Sequence, residues 1–109
     1  MATLEFETRE LEGRADVVLR GELDLSTADK VDREVRRAED IATDLLVLDL
    51  SRLTFLDSTG LRLIVEADQR ARESDRRLVV VKGPAAVQRV FSITKLDERF
   101  EMVESASEA

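Results

Sequence analysis

The side chains best placed for chemistry lie in one tetrapeptide, Asp57-Ser58-Thr59-Gly60. Leu45 to Leu50 precede it as a nearly continuous apolar run. A run that short suits a strand buried on both faces, as in a parallel sheet covered by helices. After Gly60 the period changes. Leu61, Ile64, Val65, Ala67, Asp68 and Ala71 recur at spacings of three and four, the pattern of an amphipathic helix. The tetrapeptide therefore sits where a strand hands over to a helix, at the carboxyl edge of a sheet and beside helix N–H groups that lack partners. A serine at that point can cap the helix or present a hydroxyl to react. As a nucleophile it needs a base, and the chain contains no His. Lys30, Lys82 and Lys95 are the only lysines, and none is near Ser58 in sequence. With neither His nor Cys, the usual zinc sites, thiolate sites, disulfides and Ser–His–Asp catalysis are excluded. No catalytic residue, metal site or cofactor is expected.

The elements that position this tetrapeptide are legible on both sides of it. Thr3 to Leu11 begins with alternation, Leu4 and Phe6 against Glu5 and Glu7. Glu12-Gly13-Arg14 is a turn, and Ala15 to Leu23 is the returning strand of an antiparallel hairpin. Asp24-Leu25-Ser26-Thr27 breaks the strand. Ser26, with Asp29 three residues on, fits an N-cap. Ala28, Val31, Val35 and Ala38 then line one face of a helix running to about Glu39, with Asp29–Arg33 and Asp32–Arg36 as acid-first i,i+4 pairs. After the Leu61 helix, Leu78 to Val81 reads as a second buried parallel strand. Gly83-Pro84 opens a third helix, with proline at the first helical position and Val87, Val90 and Phe91 inward. Phe100 to Val103 is a short last strand, and Ser105 to Ala109 is expected to be a frayed tail. The order is ββαβαβαβ. It predicts an α/β fold with a mostly parallel sheet, an antiparallel hairpin at its start and helices packed on the sheet.

Composition bounds the rest. A chain of 109 residues is one domain with enough surface to bury a real core. No apolar segment approaches the roughly 20 residues a membrane span needs. The first ten residues, MATLEFETRE, lack a basic region followed by an apolar stretch, so no signal peptide is expected and the cytoplasm is the default compartment. A net charge of −7 argues against direct nucleic-acid binding and is compatible with a basic protein partner.

Gly21-Glu22-Leu23-Asp24, Leu48-Asp49-Leu50 with Leu56-Asp57-Ser58-Thr59-Gly60-Leu61, and Lys82-Gly83-Pro84, in this order and spacing, resemble the STAS-domain family, specifically its single-domain anti-sigma-factor antagonists. The resemblance spans about residues 3 to 104, so a STAS domain is expected over 1–104 with the tail at 105–109. It implies that Ser58 is phosphorylated by the anti-sigma factor, an ATP-dependent serine kinase. The unphosphorylated protein binds that factor and frees a sigma factor; a serine phosphatase reverses the modification. The protein itself is then a substrate and a binding switch, a monomer or weak dimer, and not an enzyme. Asp24, Ser26, Thr27, Asp57, Ser58, Thr59, Gly60 and Arg62 are the implied partner surface. A STAS scaffold module of a stress-signalling assembly, forming high-order oligomers, is the alternative. A Ser58-dependent enzyme is a more distant one.

Each residue also has a purely structural reading. Ser58 and Asp57 each fit an N-cap, with Asp57 equally a carboxylate for kinase recognition. Asp24 can hold its own turn or contact the kinase. Thr59 is structural or a second acceptor. Gly60 lets a partner approach closely, or lets its helix pack on the sheet. Arg70, Arg72, Arg76 and Arg77 read as a solvated face at the far end from Ser58. Two departures from the family pattern stand out. Lys95 occupies the place of a glycine in Thr94-Lys95-Leu96-Asp97, where a positive φ would cost lysine about 1 kcal/mol. The C-terminal stretch is also short for a closing helix.

Overall fold

The computed structural model describes residues 2–109. Strand β1 (Leu4–Leu11) and strand β2 (Arg14–Leu23) form the hairpin, turned by Gly13 at φ +73. Helix α1 (Ala28–Ile41), strand β3 (Leu45–Leu56), helix α2 (Ser58–Glu73), strand β4 (Arg77–Val81), helix α3 (Ala85–Ile93) and strand β5 (Glu101–Val103) follow in the expected order. The five-stranded sheet runs β1-β2-β3-β4-β5; β1 and β2 are antiparallel and every other pair is parallel.

The three helices share one face of this sheet. Val31 and Val35 of α1, Ile64 and Ala67 of α2, and Val87 and Phe91 of α3 bury against Val17, Leu19, Leu46, Leu48, Leu50 and Val80. The helical periodicity thus identifies an inner face, but the apolar run in β3 is not covered by helices on both sides. On the outer face Val47, Val79 and Val81 are buried beneath Ala106 and Ala109. Residues 105–109, expected to fray, form a short 3-10 turn at Ala106–Glu108, and the Arg14 guanidinium donates to the Ala106 carbonyl at 2.9 Å. Small apolar side chains beside an otherwise bare valine strip account for the docking.

Strand β3 is twice as long as its apolar run because its pairing with β2 shifts register between Val18 and Arg20 and again between Gly21 and Glu22. Gly21 permits the irregularity. Its φ is +109, and a Cβ there would lie 2.3 Å from the Thr3 carbonyl oxygen. Past it Leu53 and Leu56 turn inward and Phe55 outward, so simple alternation fails.

Several local expectations need correction. Thr27, not Ser26, precedes α1, and Ser26 points its hydroxyl at Asp24. Asp32–Arg36 forms as an i,i+4 pair at 3.0 Å, whereas Asp29–Arg33 is not among the ion pairs of the described residues. Pro84 lies one residue before α3, and the Gly83 N–H is taken by the Gln88 side chain. Arg70 and Arg76 are not solvated, since both pair with the carboxylate of Glu39. Asp68 is a charged member of the buried face of α2. It is 6% exposed and clamped by Arg72 and Arg99, each at 2.9 Å, which ties α2 to the segment before β5. Leu63 joins the buried face of α2, wider than the three-four spacing alone indicates. Lys95 does take a left-handed backbone, at φ 60.

Two stability measurements follow from this packing. Ile64→Ala is expected to cost about 2–5 kcal/mol, because Ile64 is fully buried. The exposed neighbour Arg62→Ala should stay within about 0.5 kcal/mol of the parent. Comparable losses in denaturant unfolding would refute the assigned helix face. Lys95→Gly should raise stability by up to about 1 kcal/mol by relieving the left-handed backbone, read as a higher unfolding midpoint.

Candidate functional site

Leu23 ends β2 and Leu56 ends β3, and the two residues are paired in the parallel register. The chain therefore leaves both strands side by side at the carboxyl edge of the sheet. One exit is the loop Asp24–Thr27, leading into α1. The other is Asp57, leading directly into α2.

Asp57 joins the two exits. It is the N-cap of α2, extended at φ −108 and ψ −175, and its Oδ1 accepts the Gly60 N–H at 3.0 Å. Its Oδ2 accepts the Leu25 N–H from the neighbouring loop at 3.3 Å, and its own N–H donates to the Leu23 carbonyl at 3.2 Å. Asp24 organises its loop from within. Its Oδ1 accepts the Ser26 hydroxyl at 2.7 Å, the Ser26 N–H at 2.9 Å and the Thr27 N–H at 3.3 Å. These donors, the Ser26 hydroxyl foremost, hold the Asp24 carboxyl below the ordinary aspartate range, against a smaller opposing effect of desolvation. Thr27 is buried, and its hydroxyl donates to the Glu22 carbonyl at 2.7 Å while accepting the Asp24 N–H at 3.0 Å.

Gly60 is buried against both strand ends. A Cβ there would lie 2.6 Å from Leu56 Cδ1, 2.7 Å from Leu23 Cγ and 3.0 Å from the Leu23 carbonyl oxygen. Of its two readings, helix packing prevails. Thr27 and Gly60, both expected on the partner surface, are thus buried and hold the edge together from inside.

Ser58 is the first residue of α2 and is exposed. Asp57 does the capping, so the Ser58 hydroxyl makes no side-chain hydrogen bond among the described residues. Thr59 is half-buried and lines a shallow cleft of about 180 Å³ between α1 and α2, together with Asp29, Asp32, Arg36 and Arg62. Asp24, Ser26, Asp57, Ser58, Thr59 and Arg62 are therefore gathered around one edge.

The chemistry this edge supports is that of an accessible hydroxyl beside carboxylates. Lys30 donates to the Leu4 carbonyl at 2.6 Å and Lys82 pairs with Glu104 at 3.0 Å, so each is engaged away from Ser58. Among the described residues no cluster of acidic side chains is placed to hold a metal, and no helix is long and apolar enough to cross a membrane.

Two surface residues escaped the sequence reading. Leu25 is 77% exposed on the loop that Asp57 pins, and Phe55 is 47% exposed two residues before Asp57. Leu25 carried a usable signal, an apolar residue inside an otherwise polar helix-opening tetrapeptide. Phe55 did not, because the register shifts upstream decide which way it points.

Comparison with known proteins matches the STAS domain model to residues 5–109. The chain is 31% identical over 87 residues to the anti-sigma-B factor antagonist of Listeria monocytogenes, covering 80% of this chain and 76% of that protein. It is 31% identical over 74 residues to Osmosensory protein A of Mycobacterium tuberculosis, covering 68% of this chain but 46% of that longer protein. The crystal structure of an anti-sigma factor antagonist from Mycobacterium paratuberculosis superposes with a TM-score of 0.87 at 24% identity, covering 97% of this chain and 90% of that one. The family model spans nearly every residue, and the mixed sheet with three helices on one face is shared with the superposed structure; the chain belongs to the STAS-domain family.

Proposed function

We propose that the chain is an anti-sigma-factor antagonist switched by phosphorylation of Ser58. In this reading the unphosphorylated protein binds an anti-sigma factor that is also an ATP-dependent serine kinase, and so releases a sigma factor. Phosphorylation of Ser58 ends the binding and a serine phosphatase restores it. The protein acts in the cytoplasm as a monomer or weak dimer, without contacting nucleic acid or membrane, and performs no catalysis of its own. The observation that carries this reading is the unengaged Ser58 hydroxyl at the start of α2, beside a second loop that the Asp57 carboxylate holds in place. A relative named for anti-sigma antagonism, aligned over most of both chains, supports the partner class.

The partner surface consists of Asp24, Ser26, Asp57, Ser58, Thr59 and Arg62, with Leu25 and Phe55 as its apolar anchors. A phosphoryl group adds roughly −1.5 to −2 charges. The N-terminus of α2 favours negative charge by about 0.3–1 kcal/mol, so the fold tolerates the modification. Asp57 and Asp24 add to the local negative potential. A partner that docks over this edge must desolvate the new charge, and affinity falls for that reason.

Two experiments test the proposal. Incubation with the cognate kinase and ATP should add one phosphate, which mass spectrometry should place on Ser58; a phosphate elsewhere with Ser58 bare would refute the assignment. In calorimetric titration Ser58→Ala should bind the anti-sigma factor persistently even with ATP present. Ser58→Asp should bind more weakly than the unphosphorylated parent and more tightly than the phosphoprotein, because it carries one negative charge. Melting temperatures of both variants should stay near the parent value. Equal affinities across the series would exclude an interface switch, and affinity that fell only together with melting temperature would make the switch a loss of fold.

A further inference from the structure

Among the described residues Arg33, Arg52, Arg62 and Arg89 are the arginines outside any ion pair, and of these four only Arg62 lies on α2, the helix that begins at Ser58. Arg36, Arg37, Arg70, Arg72, Arg76, Arg77 and Arg99 are all held in ion pairs, several of them with two partners or at 2.9 Å. Arg62 is exposed and makes no ion pair among the described residues, although Asp29, Asp32 and Glu66 line the same cleft. Asp32 is already engaged by Arg36 at 3.0 Å. Glu66 lies four residues after Arg62 on α2, the weaker order for a helical ion pair, with the cation toward the N-terminus.

Ser58 lies four residues before Arg62 on the same helix. That is the favourable order, with the acid first once Ser58 is phosphorylated. Helical side chains lean toward the N-terminus and cover the turn before their own Cα, so an arginine at position 62, which lines the α1–α2 cleft beside Thr59, can reach over the turn that begins with Ser58. A guanidinium also matches phosphate oxygens bidentately. Both residues are exposed, so their side chains can meet without moving any buried residue.

We propose that Arg62 is the intramolecular receptor of the phosphate on Ser58. The modification then does two things at once: it adds negative charge to the edge, and it withdraws an exposed cation, unpaired among the described residues, from any acidic group of a partner. Phosphorylation thereby removes an attraction as well as introducing a repulsion. The inference rests on Ser58 being the modified residue, as proposed above, and concerns what receives the phosphate afterwards.

The test installs phosphoserine at position 58 by genetic encoding, so it does not depend on any kinase. The second ionisation of the phosphate, ordinarily near pH 6, is followed by phosphorus NMR in the parent, Arg62→Ala, Arg62→Lys and Arg36→Ala backgrounds. A receiving arginine favours the dianion. The parent should therefore titrate about 0.3–0.5 pH unit below Arg62→Ala at low salt. Arg62→Lys should recover part of the shift, and the difference should shrink in about 1 M salt. Melting curves confirm that each variant is folded. Identical titrations in the parent and Arg62→Ala would overturn the proposal, and so would a shift abolished by Arg36→Ala but not by Arg62→Ala. Failure of the native kinase to modify Ser58 would refute the phospho-switch instead and leave this titration unaffected.

Discussion

The carboxylate of Asp57 is the contact on which the arrangement of the edge depends. One oxygen closes the first turn of α2 through the Gly60 N–H and the other holds the neighbouring loop through the Leu25 N–H. Each bond is modest alone, of the order of 1 kcal/mol. Their joint effect is geometric. Without the second bond the Asp24–Thr27 loop would be tied only to itself, through Asp24 and Thr27, and its position relative to Ser58 would rest on the strand ends alone. With it, the exits of two parallel strands behave as one surface, and Ser58 is left free because its neighbour has taken the capping role.

Beneath the edge, Gly60 sets how close α2 can come. The helix start lies against Leu23 and Leu56 at a distance no Cβ would allow. At the opposite end, Glu39 gathers Arg70 and Arg76, and Asp68 gathers Arg72 and Arg99. Helix α2 is thus anchored by backbone contact at its first turn and by ion pairs along its last two turns. Ser58 is displayed at the end of a helix that is fixed along its length.

The order of elements, the antiparallel hairpin and the strand-to-helix junction at Asp57 were legible because each rests on local periodicity or on a glycine at a turn. The inner faces of α1 and α2 were legible for the same reason, through Val31, Val35, Ile64 and Ala67. What stayed hidden depends on residues distant in sequence. The burial of Asp68 needs Arg99, thirty-one residues away, and the pairing of Arg70 needs Glu39. The orientation of Phe55 needs the irregular pairing near Gly21. The docking of Ala106 needs Arg14 from the other end of the chain. At the edge itself the residues singled out in the sequence do lie around two neighbouring strand exits, but their division of labour was not legible. Only coordinates show that Asp57 caps and bridges, that Thr27 and Gly60 are internal, and that Leu25 stands out in solvent.

The free side of β1 bears on how the molecule behaves among many copies of itself. This strand is eight residues long and pairs on one side only, which makes it a template on which another chain could hydrogen-bond. Its exposed side chains include Glu5, Glu7, Arg9 and Glu10, and such charges discourage a second strand from adding. The opposite border, β5, is three residues long and offers little template. The proposed partner surface lies instead at the ends of the strands, at right angles to the direction in which sheets grow. Apolar exposure around Ser58, as at Leu25 and Phe55, is thus set apart from the two free strand edges on which a fibre could grow.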